Sequence, residues 1–203
     1  MASYSPVLRA AFNSSFVEGQ TQTYNLEVAA PGAFQLLVQW LYTKRIQSWL
    51  TDAEIDSLPE GADGFIIFSK DDCVKLGRHS MRLVNLWITA DYLQMPRLQN
   101  LAVDGLENLR VQWDTIGCNP LNYLCENVPS EAPLRQLIFE HCLLFLPPSV
   151  YLRHPHLFPK QMLVDLVIDL KLEYQSNGSQ LPQPDPFTDR AEFIKRFHVP
   201  EDV

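Results

Sequence analysis

Hydrophobic positions recur with a helical period over most of this chain. From Met81 to Leu93 the only clearly polar stripe is Arg82, Asn85 and Thr89, three and four residues apart, and the rest of the circumference is apolar or small. Such a narrow polar stripe on a period near 3.6 predicts a mostly buried helix. Pro96 cannot extend it, because proline lacks an N–H and pushes the preceding residue out of the α region, yet proline suits the first turn of a new helix. From Pro96 to Leu109 the apolar positions are Leu98, Leu101, Ala102, Leu106 and Leu109. Arg97, Gln99, Asn100, Asp104, Glu107 and Asn108 lie elsewhere on the wheel and predict a wet face. The two segments read as a tight helical hairpin, one arm central and one lateral.

The same reading extends in both directions. "SPVLRAAF" (5–12) predicts a short helix capped by Ser5 with Pro6 in its first turn. "QTYNLEV" (22–28) alternates as a short strand would. "APGAFQLLVQWLYT" (30–43) predicts a largely buried helix whose strongly polar positions are Gln35 and Gln39. "SEAPLRQLIFEHCLLFL" (130–146) predicts a helix capped by Ser130. "PKQMLVDLVIDLKLEYQ" (159–175) predicts another, with Leu163, Leu166, Val167, Leu170 and Tyr174 as its apolar stripe. "SNGSQLPQPDP" (176–186) is a Pro-rich linker, and "FTDRAEFIKRFH" (187–198) a marginal terminal helix.

Between Ile46 and Ser80 the composition shifts. Residues 51–72 carry Asp52, Glu54, Asp56, Glu60, Asp63, Asp71 and Asp72 against one Lys70, around a β-rich "FIIF" at 65–68. We expect an acidic surface insertion holding one strand. Its carboxylates lack the regular spacing of a metal-binding loop.

Charge and cysteine usage narrow the function. A formal charge of −8 and an isoelectric point near 5.0 argue against direct binding of nucleic acid or an anionic membrane. Cys73, Cys118, Cys125 and Cys142 lie far apart among ordinary core or loop neighbours, which suggests reduced thiols in a cytoplasmic or nuclear protein. The start "MASYSPVLRAAF" has no secretory leader pattern, and no apolar run is long enough to span a bilayer, so we expect neither secretion nor a membrane span.

Candidate chemistry is sparse. His141 beside Cys142, and His154 with His156, are the best groupings. None has close Cys and His spacing of a zinc site, and no Gly-rich phosphate loop, G-x-S-x-G or H-E-x-x-H occurs. Cys142, Trp40 and Trp87 read as core. We therefore assign no catalytic residue, no metal ligand and no cofactor, and expect a protein that is not an enzyme.

"SPVLRAAF", then "YNLEV", "AFQLLVQWLYT" and "LVNLWITADYLQMPRLQNLA", together resemble the later helices and strand of the BTB/POZ domain, especially the version found in many fungal proteins. "PLRQLIFEHC" and "FPKQMLVDLVIDL" are similar to the helical extension of those proteins. The resemblance implies a mainly helical α+β fold. Its parts are an incomplete BTB/POZ-like domain over 1–110 with the insertion at about 46–80, a C-terminal helical extension over 111–175, and a linker and tail over 176–203. The domain's opening strands and first helix would precede "SPVLRAAF", so the usual dimer contact is in doubt. Leu8, Ala11 and Phe12 should then lose their cover and favour self-association. The resemblance also implies a protein–protein interaction adaptor, one form of which is a substrate receptor for a cullin-based ubiquitin ligase. The other form is a scaffold or transcription-associated subunit without a ligase role. The family's cullin-contact motif is a hydrophobic residue, any residue, then glutamate. Phe16, Val17 and Glu18 stand at the matching place, and Tyr42 matches the family's tyrosine at the end of the next helix.

Overall fold

The computed structural model describes residues 3–46, 70–113, 116–176 and 185–201. The chain divides into two compact units: Met1–Leu106 with Val199–Val203, and Glu107–His198.

The first unit contains helices α1 (Pro6–Phe12), α2 (Val17–Thr21), α3 (Pro31–Thr43), α4 (Lys70–Tyr92) and the opening turns of α5 (Pro96–Trp113). Three of them start on proline, whose fixed φ and missing donor cost nothing at a helix start. α3 packs along α4 and buries Ala33, Leu36, Leu37 and Trp40. From α4 the core receives Leu76, Leu83, Val84, Leu86, Trp87 and Ala90.

The hairpin between α4 and α5 closes as expected, by a specific device. Gln94 takes a left-handed φ of 53°, the Gln94 N–H donates to the Asp91 carbonyl at 2.9 Å, and the Met95 N–H donates to the Ala90 carbonyl at 2.8 Å. This is a Schellman closure made without glycine, and buried Met95 supplies its apolar contact. Beyond the turn, a Cβ added to Gly105 would come within 3.1 Å of Leu83 Cδ2, so the absence of a side chain there lets the two arms approach.

The first arm is mostly buried as expected, and the wet face expected of the second is only partly wet: Arg97 and Asn108 are exposed, whereas Gln99, Asn100 and Glu107 are buried. Of the α4 stripe only Arg82 is exposed; Asn85 and Thr89 are buried. Asn85 Nδ2 donates to the Met81 carbonyl at 2.9 Å and Thr89 Oγ1 to the Asn85 carbonyl at 2.8 Å, so each finds its partner inside its own helix. On α5, Gln99 and Asn100 are buried. Gln99 Nε2 donates to Asp91 Oδ1 at 3.1 Å. Asn100 receives the Val199 N–H on its Oδ1 at 2.8 Å, and from Nδ2 donates to the Val199 carbonyl at 2.9 Å and to Glu201 Oε1 at 3.2 Å.

Three further expectations change. Residues 22–26 are irregular and lead into a turn at 27–28, and no strand occurs among the described residues, which are mainly helical. Alternation at 22–28 meets no neighbouring strand to complete a ladder. The "FIIF" segment lies outside the described residues, as does most of the acidic insertion. Its last part is not a surface loop: residues 70–80 are the opening turns of α4 and bury Leu76, His79 and Ser80. Leu8 is buried, with Ala11 and Phe12 half-buried, so α1 does not present the bare apolar patch expected of it. Phe12 meets Tyr24 edge-on at 6.4 Å.

The second unit holds the end of α5, α6 (Leu121–Asn127), α7 (Pro133–Phe145), α8 (Pro148–Arg153), a 3-10 turn (Pro155–Leu157), α9 (Lys160–Ser176), α10 (Asp185–Thr188) and α11 (Arg190–Phe197). α7 starts at Pro133 with Ala132 in the cap position, not at Ser130, whose hydroxyl donates to Glu131 Oε2 at 2.8 Å. α9 also departs from its reading. Its buried residues are Met162 and Leu166, whereas Leu163 and Val167 of the expected stripe are exposed together with Val164, Ile168 and Leu172; the Tyr174 side chain lies outside the described set. α11 is no marginal tail. Asp189 caps it, accepting from the Ala191 N–H at 2.8 Å, and buried Phe193 and Phe197 join Phe187 in an aromatic cluster.

Candidate protein-interaction surface

Ser5 anchors the front of this surface. Its hydroxyl donates to the Leu93 carbonyl at 2.6 Å and accepts from the Leu8 N–H at 3.1 Å, capping α1 while satisfying the last turn of α4. The chain then turns through residues 13–16. Ser14 Oγ donates to the Ala11 carbonyl at 2.7 Å and accepts from the Phe16 N–H at 3.2 Å. Gln22, at a left-handed φ of 53°, sends its Nε2 to the Gly19 carbonyl at 2.7 Å and to the Phe12 carbonyl at 3.1 Å. Gly19 is what permits this fold-back, since a Cβ there would lie 1.9 Å from the Ser14 carbonyl oxygen.

The result is a short helix, α2, that is held from behind and bare in front. Phe16 is 72% exposed and Val17 63%. Glu18 is half-buried, and its charge is felt at Tyr24. Tyr24 shares a 3.0 Å hydrogen bond with the Tyr92 hydroxyl, which, followed by burial, pushes the Tyr24 proton affinity up to about 12. Tyr42 stands near the end of α3 and is 86% exposed. Below it Lys44 takes a left-handed φ of 59°, donates its N–H to the Trp40 carbonyl at 2.8 Å, and lays Nζ over the Tyr4 ring at 3.7 Å. No ring contact or hydrogen bond joins Tyr42 to Phe16 among the described residues. Phe34, 43% exposed on α3, was not singled out in the sequence.

Large apolar side chains held in water on a pinned backbone suit burial by a partner. A single carboxylate among them adds polarity without a nucleophile or an acid–base pair.

The His141 grouping serves a different purpose. His141 Nε2 lies 2.8 Å from Glu107 Oε2, and Arg110 grips the same carboxylate with Nε at 2.9 Å and Nη2 at 2.5 Å. Burial pushes His141 down despite the opposing pull of Glu107. On Glu107 the hydrogen bonds from Arg110 and His141 outweigh burial and hold its carboxyl low. Both Glu107 and His141 are buried, and the Arg110 guanidinium stacks on Phe145 at 4.0 Å. This is a satisfied charge cluster inside the second unit, closed to a dissolved substrate. His154 and His156 are exposed, with their rings edge-on 6.1 Å apart. Among the described residues no group of three or more His, Cys, Asp or Glu is placed to hold a metal ion, and no helix is long and apolar enough to cross a membrane.

Residues 1–76 match the family model of the BTB/POZ domain, a protein–protein interaction module whose members often self-associate. The match supports a BTB/POZ-domain protein, and its span includes Phe16, Val17, Glu18 and Tyr42. No curated protein and no solved structure matches the chain.

Proposed function

We propose that the chain is a protein-interaction adaptor of the cytoplasm or nucleus that engages a cullin scaffold of a ubiquitin ligase through Phe16, Val17, Glu18 and Tyr42. One observation carries the reading: inside the BTB/POZ-matching segment, Phe16 and Val17 are held out in solvent beside Glu18 by a backbone that Gly19 and Ser14 fix from behind. Phe16 would fill an apolar pocket on the scaffold and Glu18 would pair with a cation at its rim. The helices of the second unit would act as the extension that supports the contact.

The test is calorimetry of the full chain against the purified scaffold. The combined Phe16→Ala and Glu18→Lys variant should lose about 2 kcal/mol or more per side chain, as central interface residues do. Both positions are exposed or half-buried, so its circular dichroism should match the parent. Parent-like affinity in the double variant, or no binding by the parent, removes the proposal.

A further inference from the structure

A groove of about 420 Å³ in the second unit is lined mainly by three helices. Phe139 and Leu143 of α7 and Leu166, Ile168 and Leu172 of α9 give it apolar walls, and α11 contributes Arg196. Its charges are unbalanced: Glu140, Asp165 and Asp169 line it against that one cation, whereas Lys160 and Lys171 of α9 do not line it. Arg196 pairs with Glu140, and Asp165 is answered by Arg135 at 3.2 Å and by Gln161 Nε2 at 2.8 Å. Asp169 is left without an ion pair among the described residues. Burial, then the charge of Asp165, pushes its carboxyl up against a weaker pull from Arg196, so the groove lacks a cation where Asp169 stands. The apolar side continues beyond the groove. Val164 precedes Ile168 and Leu172 at four-residue steps, all three are exposed, and the row covers about 12 Å of helix axis. Asp165 and Asp169 form the neighbouring row, between those exposed residues and buried Met162 and Leu166.

We propose that this groove and the row beside it dock a basic amphipathic helix of a partner protein, its apolar residues seated on Val164, Ile168 and Leu172 and a Lys or Arg from its flank paired with Asp169. The surface lies wholly in the second unit, so it is additional to the contact through Phe16, Val17, Glu18 and Tyr42 and does not depend on it. Length decides against a small ligand. A molecule confined to the groove leaves Val164 and the outer part of the row bare, whereas a helix laid along α9 covers anchors spaced three or four residues apart. Charge decides against a second copy, because a chain of net charge −8 offers the groove the same excess of carboxylates that it already holds. A cationic flank supplies the partner that Asp169 lacks. It also speeds encounter and fixes the register of the docked helix, as complementary charge does at interfaces.

The probe is a fluorescein-labelled synthetic helix of about 18 residues, five turns long, with Leu along one face and Lys on its flanks. It is titrated into the full chain and read by anisotropy, beside a twin that carries Glu for every Lys. The parent should bind the Lys peptide and not the Glu twin. Asp169→Lys should weaken binding about tenfold or more, and Ile168→Ser and Leu172→Ser by a similar factor. All three positions are exposed, so the circular dichroism of each variant should match the parent. Two variants act as controls. Glu126→Lys makes the same charge change on α6 outside the groove, and Leu163→Ser makes a matching polar change on α9 off the Val164 row; each should keep parent affinity. No binding by the parent, equal binding of the Glu twin, or an equal loss in Glu126→Lys or Leu163→Ser would overturn the proposal. So would sedimentation that shows a parent dimer returned to monomer by Ile168→Ser, since a second copy would then occupy the row.

Discussion

Helices α4 and α9 each carry a helical period, plainer on α4, and the fold uses them in opposite ways. On α4 two of the three stripe-forming polar residues, Asn85 and Thr89, are buried. On α9 two of the apolar stripe residues, Leu163 and Val167, are in water. A period states that one side of a helix differs from the other; it does not state which side meets the core. Short polar side chains bonded to a carbonyl one turn back need no water, so they can accompany apolar neighbours inward. Apolar residues have no matching obligation to be covered, and much of any protein surface is apolar.

The contrast can be broken most forcefully at Trp87. It is buried on α4, and Trp87→Ala should destabilise the first unit by about 3 to 5 kcal/mol, as large aromatic truncations in cores do. Denaturant unfolding with hydrogen exchange of the α4 amides measures this. A loss below about 1 kcal/mol would place α4 outside the core.

A second test uses acid. Burial, then the nearby Arg82 charge, pushes buried His79 on α4 down from the usual 6.5 to about 4, and among the described residues its Nδ1 has no hydrogen-bond partner. The unfolded chain therefore takes up a proton near pH 6.5 and the folded chain only near 4. The stability tied to neutral His79 is fully present above 6.5 and is lost as pH falls between those values, in all about 3 kcal/mol. Protection of α4 amides, corrected for intrinsic exchange rates, should fall over that range in the parent and stay flatter in His79→Leu. Equal slopes would show that His79 does not carry the effect.

The smallest effects sharpen the comparison. Thr89→Ala removes a buried methyl and a hydrogen bond internal to its own helix, and should cost about 1 kcal/mol, in line with the loss of one buried methyl-sized group. Leu163→Ser and Val167→Ser, both on the bare side of α9, should each stay within about 0.5 kcal/mol. If either serine variant melts earlier than Thr89→Ala, something covers the outer face of α9.

Much of the helical layout was legible because its signals are local. Pro6, Pro31 and Pro96 mark helix starts by backbone chemistry alone, and Ser5 caps α1 as read, whereas the start at Pro133 was missed in favour of Ser130. What escaped depends on contacts distant in sequence. The strand at 22–28 failed because alternation within one segment cannot supply a neighbour. The end of the acidic stretch became helix because Leu76 and His79 have a core to enter. Phe193 and Phe197 looked marginal because their partner Phe187 lies across a break in the helix. At the candidate surface, Phe16 and Tyr42 were visible through family resemblance. The role of Gly19 was not, because its cause is the Ser14 carbonyl folded against it.

The amide of Asn100 has one more implication, in chain topology. Its partners Val199 and Glu201 lie 99 and 101 positions away, so the chain leaves the first unit after Leu106, forms the whole second unit, and returns to bond Asn100. Closing a flexible loop of that size costs about 4 to 5 kcal/mol of chain entropy. Three hydrogen bonds at about 1 kcal/mol each do not meet that cost. A folded second unit removes most of it by gathering its own ends beforehand. The clasp at Asn100 is therefore a late contact in folding, and its closure registers in one unit that the other has formed.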